Sequence, residues 1–217
     1  SVLSALILLA VILGGVFMTL LVSKLLSVTI LKGVPSSFTL ELPPYRRPQI
    51  GKVIVRSVFD RTIFVLGRAC AAAAPAGLLI WILANFRAGD MTILNHLEEF
   101  LDAPGHILGM DGAVLLGFLL GFPANEIVIP IIIMCYTGAG TLTEIDNTEV
   151  LRMLFADNGW TIKTAVCMIT AVLFHFPCAT TCMTIKKETG SFKWTAAAFI
   201  LQTLCGIILC SIINFVF

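Results

Sequence analysis

Long apolar stretches alternate with short polar ones along the whole chain, and nearly all the charge sits in the polar ones. Val2 to Leu26 is apolar apart from Lys24, long enough to cross a hydrocarbon core of about 30 Å as a helix. Residues 32–61 then carry prolines 35, 43, 44 and 48 and a cluster of Lys and Arg, which predicts an aqueous connector; SFTLELPPY (37–45) alternates as a strand does. From Pro48 the period becomes helical. Val55, Val58, Phe59, Thr62 and Ile63 share a face, with Lys52, Arg56 and Arg61 off it. That is an amphipathic helix at the cytoplasmic interface, running into the next span. Ala69 to Phe86 is this span. Its small-residue row ACAAAAPAG permits close helix approach, and Pro75 predicts a kink. An acidic loop follows, with a short amphipathic helix around Thr92 to Leu101. Gly112 to Tyr136 is apolar but interrupted by Gly121, Pro123, Asn125 and Glu126. Residues 137–159 read as a second acidic loop. Trp160 to Ile185 is apolar with an interruption at Pro177, KKETGSFK follows, and Trp194 to Phe217 is the last span.

This pattern predicts an all-α polytopic membrane helix bundle with proline-broken or re-entrant helices and a short cytoplasmic connector. It divides as 1–31, a transmembrane helix; 32–68, the connector with its amphipathic helix; and 69–217, a membrane domain. Lys24, Lys32 and the basic residues between 46 and 61 place the connector inside the cell, and Lys186, Lys187 and Lys193 place the 186–193 turn there too. Both acidic loops then lie outside, so 112–136 starts and ends on one side as a re-entrant hairpin bent at Pro123. The alternative is a true crossing.

Composition agrees. The 217 residues are 58% hydrophobic and 12% charged, where soluble domains run near a quarter charged. A net charge of +1 gives no basis for a nucleic-acid partner. The seven cysteines, mostly inside apolar runs, do not form a secreted disulfide framework; Cys70, Cys135, Cys167, Cys205 and Cys210 read as packing residues. There is no GxxxxGK[ST], no dinucleotide glycine fingerprint, no HExxH and no nucleophile–base pair, so the chain does not read as an enzyme. It opens on SVLSALILLAVILGG, without Met or a basic leader, and is expected to be cut from a longer protein.

Two segments carry candidate chemistry. GFPANE (121–126) and HFPCAT (175–180) each place a Phe-Pro pair midway along an apolar stretch, with a polar or ligating group just after it. Proline cannot donate to the preceding turn, so carbonyls upstream lose partners and must face protein or a wet cavity. Transporters place binding sites at such breaks; two kinked packing helices are the competing reading. Glu126 is the only carboxylate in 112–136, where burying a charge costs at least about 2.5 kcal/mol. It reads as an ion- or proton-handling group, or else as a protonated acid or a partner of Lys163. Asn125 offers a neutral oxygen, or glue between helices. Cys178 directly follows the proline, Cys182 lies four residues on, and His175 just precedes the break. Thiolate and imidazole suit Fe(II), Zn or Cu(I) rather than Mg or Ca. Thr180 and Thr181 need only bond back to their helix. His96 and His106 read as solvated loop residues.

LELPPYRRP (40–48), GFPANEIVIPIIIM (121–134) and FPCATTCMTIKKETGSFKW (176–194) together resemble the C-terminal half of the membrane region of ferrous iron transport protein B (FeoB). The resemblance implies the end of a first gate domain at 1–31, a cytoplasmic core at 32–68 and a second gate domain at 69–217. It implies a multi-pass bacterial inner-membrane permease with Fe(II) as the transported ion and no tightly bound cofactor. GTP would act only through an N-terminal G-domain absent from this chain. The implied partners are that G-domain, the first gate domain, the lipid bilayer, a FeoA-like small protein and a second copy of the chain. Cys178 matches the family's Pro-Cys position in the second gate and takes its ion-pathway role, and Glu126 lies in the matching GFPANE segment. Asn125, His175 and Cys182 complete the expected metal site, the last two by spacing alone. A gate-type transporter of nucleosides or another small solute, and a non-transporting membrane scaffold, are the rival readings.

Overall fold

The computed structural model describes residues 2–29 and 50–217, in two compact units, Ser1–Ile50 and Gly51–Phe217. The strand-like stretch 37–45 and the proline-rich core of the connector lie outside the described residues. In the first unit, α1 (Val2–Thr29) has 28 residues, so it rises about 42 Å and exceeds the hydrocarbon core. Its hydroxyls are hidden from an apolar environment: Thr19, Ser27 and Thr29 donate to the carbonyls one turn back at 2.8, 2.9 and 2.6 Å.

The second unit is all helix apart from one two-residue-per-strand hairpin. It opens with α2 (Ile50–Arg56), a π-helical segment (Ser57–Ile63) and α3 (Phe64–Asn85), joined without interruption. The amphipathic stretch thus runs into the span as its periodicity indicates. Pro75 lies inside α3 without ending it. Asn85 closes α3 by donating to the carbonyls of Trp81 and Gly140 at 2.9 and 2.7 Å. Strands β1 (Arg87–Ala88) and β2 (Met91–Thr92) pair antiparallel around Gly89, whose φ of +80° a side-chain-bearing residue rarely adopts. Thr92 then caps α4 (Ile93–Ile107). This helix is longer than its apolar pattern suggests, because Leu94, Leu97 and Leu101 pack on the core and hold it through Pro104.

The chain bends 105° between α4 and α5 (Gly112–Leu120). Asp111 caps α5, its Oδ1 accepting from the Val114 amide at 2.8 Å. After an interruption, α6 (Val128–Thr137) runs back along α5. Gly117 abuts Ile132 and Gly121 abuts Val128, while at the open end the Tyr136 hydroxyl donates to Asp111 Oδ2. The 112–136 segment is therefore a hairpin whose two ends meet. With 9 and 10 residues, its arms rise about 14 and 15 Å, half a hydrocarbon core. Val114, Ile131, Ile132 and Met134, fully buried, form its centre.

The second acidic loop holds a helix that its composition does not announce, α7 (Thr148–Asp157), capped by Asn147. Then α8 (Ile162–Leu173), a break at 174–178 and α9 (Ala179–Thr189) make one long traverse antiparallel to α10 (Phe192–Val216). Cys210 Sγ donates to the Cys167 carbonyl at 3.5 Å, and Gly206 lets α10 approach Phe174 closely. Gly190, at φ +64°, makes the turn between α9 and α10. At the far end of α10, Asn214 donates to the His106 and Ile107 carbonyls at 2.9 and 3.0 Å. The starts of α3 and α10 therefore lie at one end of this unit, with Lys186, Lys187 and Lys193, and Asn85, Gly140 and Asn214 lie at the other. Among the described residues three helices, α1, α3 and α10, are long and apolar enough to cross a membrane.

Candidate functional site

The two interruptions fall where the prolines do, and they touch. Around Pro123 the helix stops at Leu120, and a 3-10 turn at Asn125–Ile127 precedes α6. Around Pro177 residues 175 to 178 belong to no helix, and Cys178 has extended backbone angles. The Ala179 amide donates to the Phe122 carbonyl at 2.9 Å, joining the two breaks directly. That carbonyl would otherwise be left bare near a helix end, and the Ala179 amide is one of the unpaired donors at the start of α9. Aromatic rings seal the junction: Phe122 and Phe176 are 5.7 Å apart, and Phe176 stacks on Phe199 at 4.9 Å.

Cys178 is the N-cap residue of α9. Its Sγ lies 3.1 Å from both the Thr180 and Thr181 hydroxyls. These threonines therefore surround the sulfur as well as belonging to the helix, which the sequence does not reveal. Thr184, one turn on, bonds back to the Thr180 carbonyl at 2.9 Å. Thr180, Thr181 and Thr184, with Val65 and Met183, line a cavity of about 290 Å³ between α3 and α9. Cys182 lies one turn below Cys178, but its thiol donates to the Pro177 carbonyl at 3.3 Å.

His175 is buried, 8% exposed, with its ring 3.9 Å from that of Phe176 and 5.1 Å from that of Phe118. Its Nε2 lies 3.2 Å from the Phe118 carbonyl. Asn125 and Glu126 stand exposed on the 3-10 turn. Glu126 makes no ion pair with Lys163; His106 pairs with Asp102 and Arg152 with Glu149. The breaks thus bring His175, Cys178 and Cys182 to one junction and leave Asn125 and Glu126 on an open face of the hairpin. No group of three or more His, Cys, Asp or Glu among the described residues is arranged to hold a metal ion.

A second polar centre, which sequence reasoning missed, lies at the hairpin's open end. Asp102 Oδ1 accepts from the Gly112 amide at 3.0 Å, and Trp160 Nε1 donates to the Tyr136 hydroxyl at 2.7 Å. Asp111, Tyr136 and Trp160 therefore form a chain from α5 through α6 to the start of α8. Trp160 stacks on Phe155 at 4.3 Å. Burial, with Asp111 and Asp102 close by, raises the Glu98 carboxyl above its ordinary range. Nothing in a single sequence brings residues 111, 136 and 160 together.

A helical hairpin, a broken traverse and polar groups concentrated where the two interruptions meet define a multi-pass membrane domain built on discontinuous helices. Residues 66–192 match the gate family described as nucleoside recognition, and residues 8–61 match the C terminus of ferrous iron transport protein B. The chain belongs to the nucleoside-recognition gate family, and across both segments it resembles the C-terminal membrane part of ferrous iron transport protein B. Among curated relatives, the Fe(2+) transporter FeoB of Staphylococcus aureus strain MSSA476 is 29% identical over 208 residues, covering 90% of this chain and 29% of the relative. That of Leptospira interrogans serovar Lai is 24% identical over 211 residues, 88% of this chain and 30% of the relative. That of Campylobacter jejuni is 25% identical over 200 residues, 86% of this chain and 32% of the relative. The chain thus spans about a third of the length of these relatives or less. No solved structure matches. Both matched segments belong to the membrane region rather than to a GTPase domain.

Proposed function

We propose that this chain forms part of a bacterial inner-membrane Fe(II) permease, and that the ion passes where the break of the α5–α6 hairpin meets the break of the α8–α9 traverse. The observation that carries this reading is the Ala179-to-Phe122 hydrogen bond, which sets Cys178 at the meeting point of both interruptions. Cys178 supplies a sulfur ligand to the partly dehydrated ion, and a soft donor favours Fe(II) over the Mg that is present in excess. Glu126 and Asn125 supply oxygens from the open face of the hairpin. Cys182 and His175 flank the site, each engaged with a backbone carbonyl. The threonine-lined cavity below Cys178 gives the ion a hydroxyl-bearing route toward the basic end of the unit. The greater length of the relatives leaves room for the remaining parts of such a machine: a first gate domain, a G-domain that binds GTP, and docking of a FeoA-like small protein or a second copy.

Fe(II) uptake into proteoliposomes by the protein as encoded, beside Cys178→Ser at matched protein levels, tests the proposal. Loss of uptake in a variant that still folds is the expected result, because Ser matches Cys in size but is a harder, weaker donor for this ion. Uptake at the parent rate at limiting iron overturns the role of Cys178. The nucleoside-recognition match favours a second reading, in which the polar groups at the breaks bind an organic solute. It predicts uptake of a labelled nucleoside that divalent metal does not compete.

A further inference from the structure

The break at Pro123 strands two carbonyls, and the break at Pro177 supplies a donor to each. In an uninterrupted helix the Phe118 carbonyl would accept from the Phe122 amide. That amide turns instead to Leu119 at 3.4 Å, whose own helical donor would have been Pro123. The Phe118 carbonyl is met by His175 Nε2 at 3.2 Å. One turn along, the Phe122 carbonyl is met by the Ala179 amide at 2.9 Å. The acceptors are four residues apart and so are the donors, so the two bonds form a matched pair across the breaks. Cys178 lies between the two tied donors.

The direction of the first bond is fixed by chemistry. A carbonyl only accepts, so Nε2 carries the proton, and the neutral ring is left with its lone pair on Nδ1. Nδ1 is buried without a hydrogen-bond partner. The ring thus has one nitrogen engaged and the other sealed within the protein, and neither faces the open side of the junction where an ion would enter.

We infer that His175 is a positioning residue: its Nε2–H bond to the Phe118 carbonyl locks the α8–α9 break in register with the α5–α6 break, and so holds the Cys178 sulfur in place. Its effect on iron uptake rests on the permease reading above; its effect on the junction does not.

Two substitutions separate the hydrogen bond from the packing of the ring. His175→Gln keeps an N–H donor at the same reach and loses the ring. His175→Phe keeps the ring and loses the donor. The protein as encoded is purified in detergent, and amide hydrogen exchange over 116–124 and 174–182 and the alkylation rate of Cys178 are read by mass spectrometry. His175→Phe is expected to speed exchange at both breaks and alkylation of Cys178 on the order of tenfold, the effect of leaving a buried carbonyl bare. His175→Gln is expected to stay within about twofold of the parent. Parent-like behaviour in His175→Phe, or equal loosening in both variants, overturns the proposal. Iron uptake is measured alongside. If the parent protein takes up no Fe(II) while the Phe and Gln variants still differ in exchange, the permease reading fails and the positioning role stands.

Discussion

Gly112→Ala tests the joint that aims the hairpin. A Cβ at position 112 would lie 2.1 Å from the Glu98 carbonyl oxygen and 3.0 Å from the Asp102 amide nitrogen, both backbone atoms of α4. Ordinary contact begins near 3.4 Å, so α4 and α5 must part by about 1 Å or more at their crossing. A flexible side chain could move aside, but a helical backbone carbonyl cannot do so without disturbing its turn. Overpacking of this kind costs about 1–3 kcal/mol. The shift also stretches the Gly112 amide away from Asp102 Oδ1, now at 3.0 Å, and a hydrogen bond to a charged acceptor is worth about 1.5–3 kcal/mol. Against this, Ala is the better helix former by at most about 1 kcal/mol, less at the first helical position. The net expectation is destabilisation of about 2–4 kcal/mol. Gly77→Ala in α3 is the control, since its Cβ would meet nothing within 4 Å and only the helix-propensity gain remains. Thermal unfolding of both variants in detergent measures the difference. Equal melting temperatures for Gly112→Ala and Gly77→Ala would refute the close crossing of α4 and α5, and with it the account of how the Pro123 break is aimed.

Tyr136→Phe removes the hydroxyl that bridges Asp111 and Trp160, stranding a carboxylate oxygen and an indole N–H; a loss of about 2–3 kcal/mol and a shift in Trp160 fluorescence are expected, and an unchanged melting temperature argues against the bridge. Glu98→Gln tests the pH linkage. The folded protein holds the Glu98 proton above the ordinary value of 4.5, so stability falls as pH rises from there through the raised value; Gln should raise the melting temperature at neutral pH and make no difference below 4.5, and a pH-independent effect contradicts this. Cysteines placed at Lys52 and Ser191, in a background without other reactive thiols, should both label from the cytoplasmic side, because the two basic ends share one end of the second unit; labelling from opposite sides refutes this orientation.

The class of the fold was legible in the sequence because membrane helices announce themselves locally. Apolar length marks α1, α3 and α10. The breaks were legible for a partly local reason: Pro123 and Pro177 lack an amide hydrogen and so favour an interruption, although Pro75 and Pro104 lie inside helices that run on through them. The limits of α4, and the existence of α7 in a stretch that reads as loop, were not legible. Packing of Leu94, Leu97 and Leu101 and the Asn147 cap override weak composition there. At the site, the sequence supplied the residue types and their order beside the prolines. It did not supply the partners, because a hydrogen bond between residues 118 and 175 or 122 and 179 leaves no periodic mark on the chain. The three-dimensional arrangement therefore decided that His175 turns to a carbonyl, that Thr180 and Thr181 surround the Cys178 sulfur, and that Glu126 stands on the open face of the hairpin. Which groups a broken helix strands is fixed by local covalent chemistry; which groups then satisfy them depends on where the rest of the chain has packed.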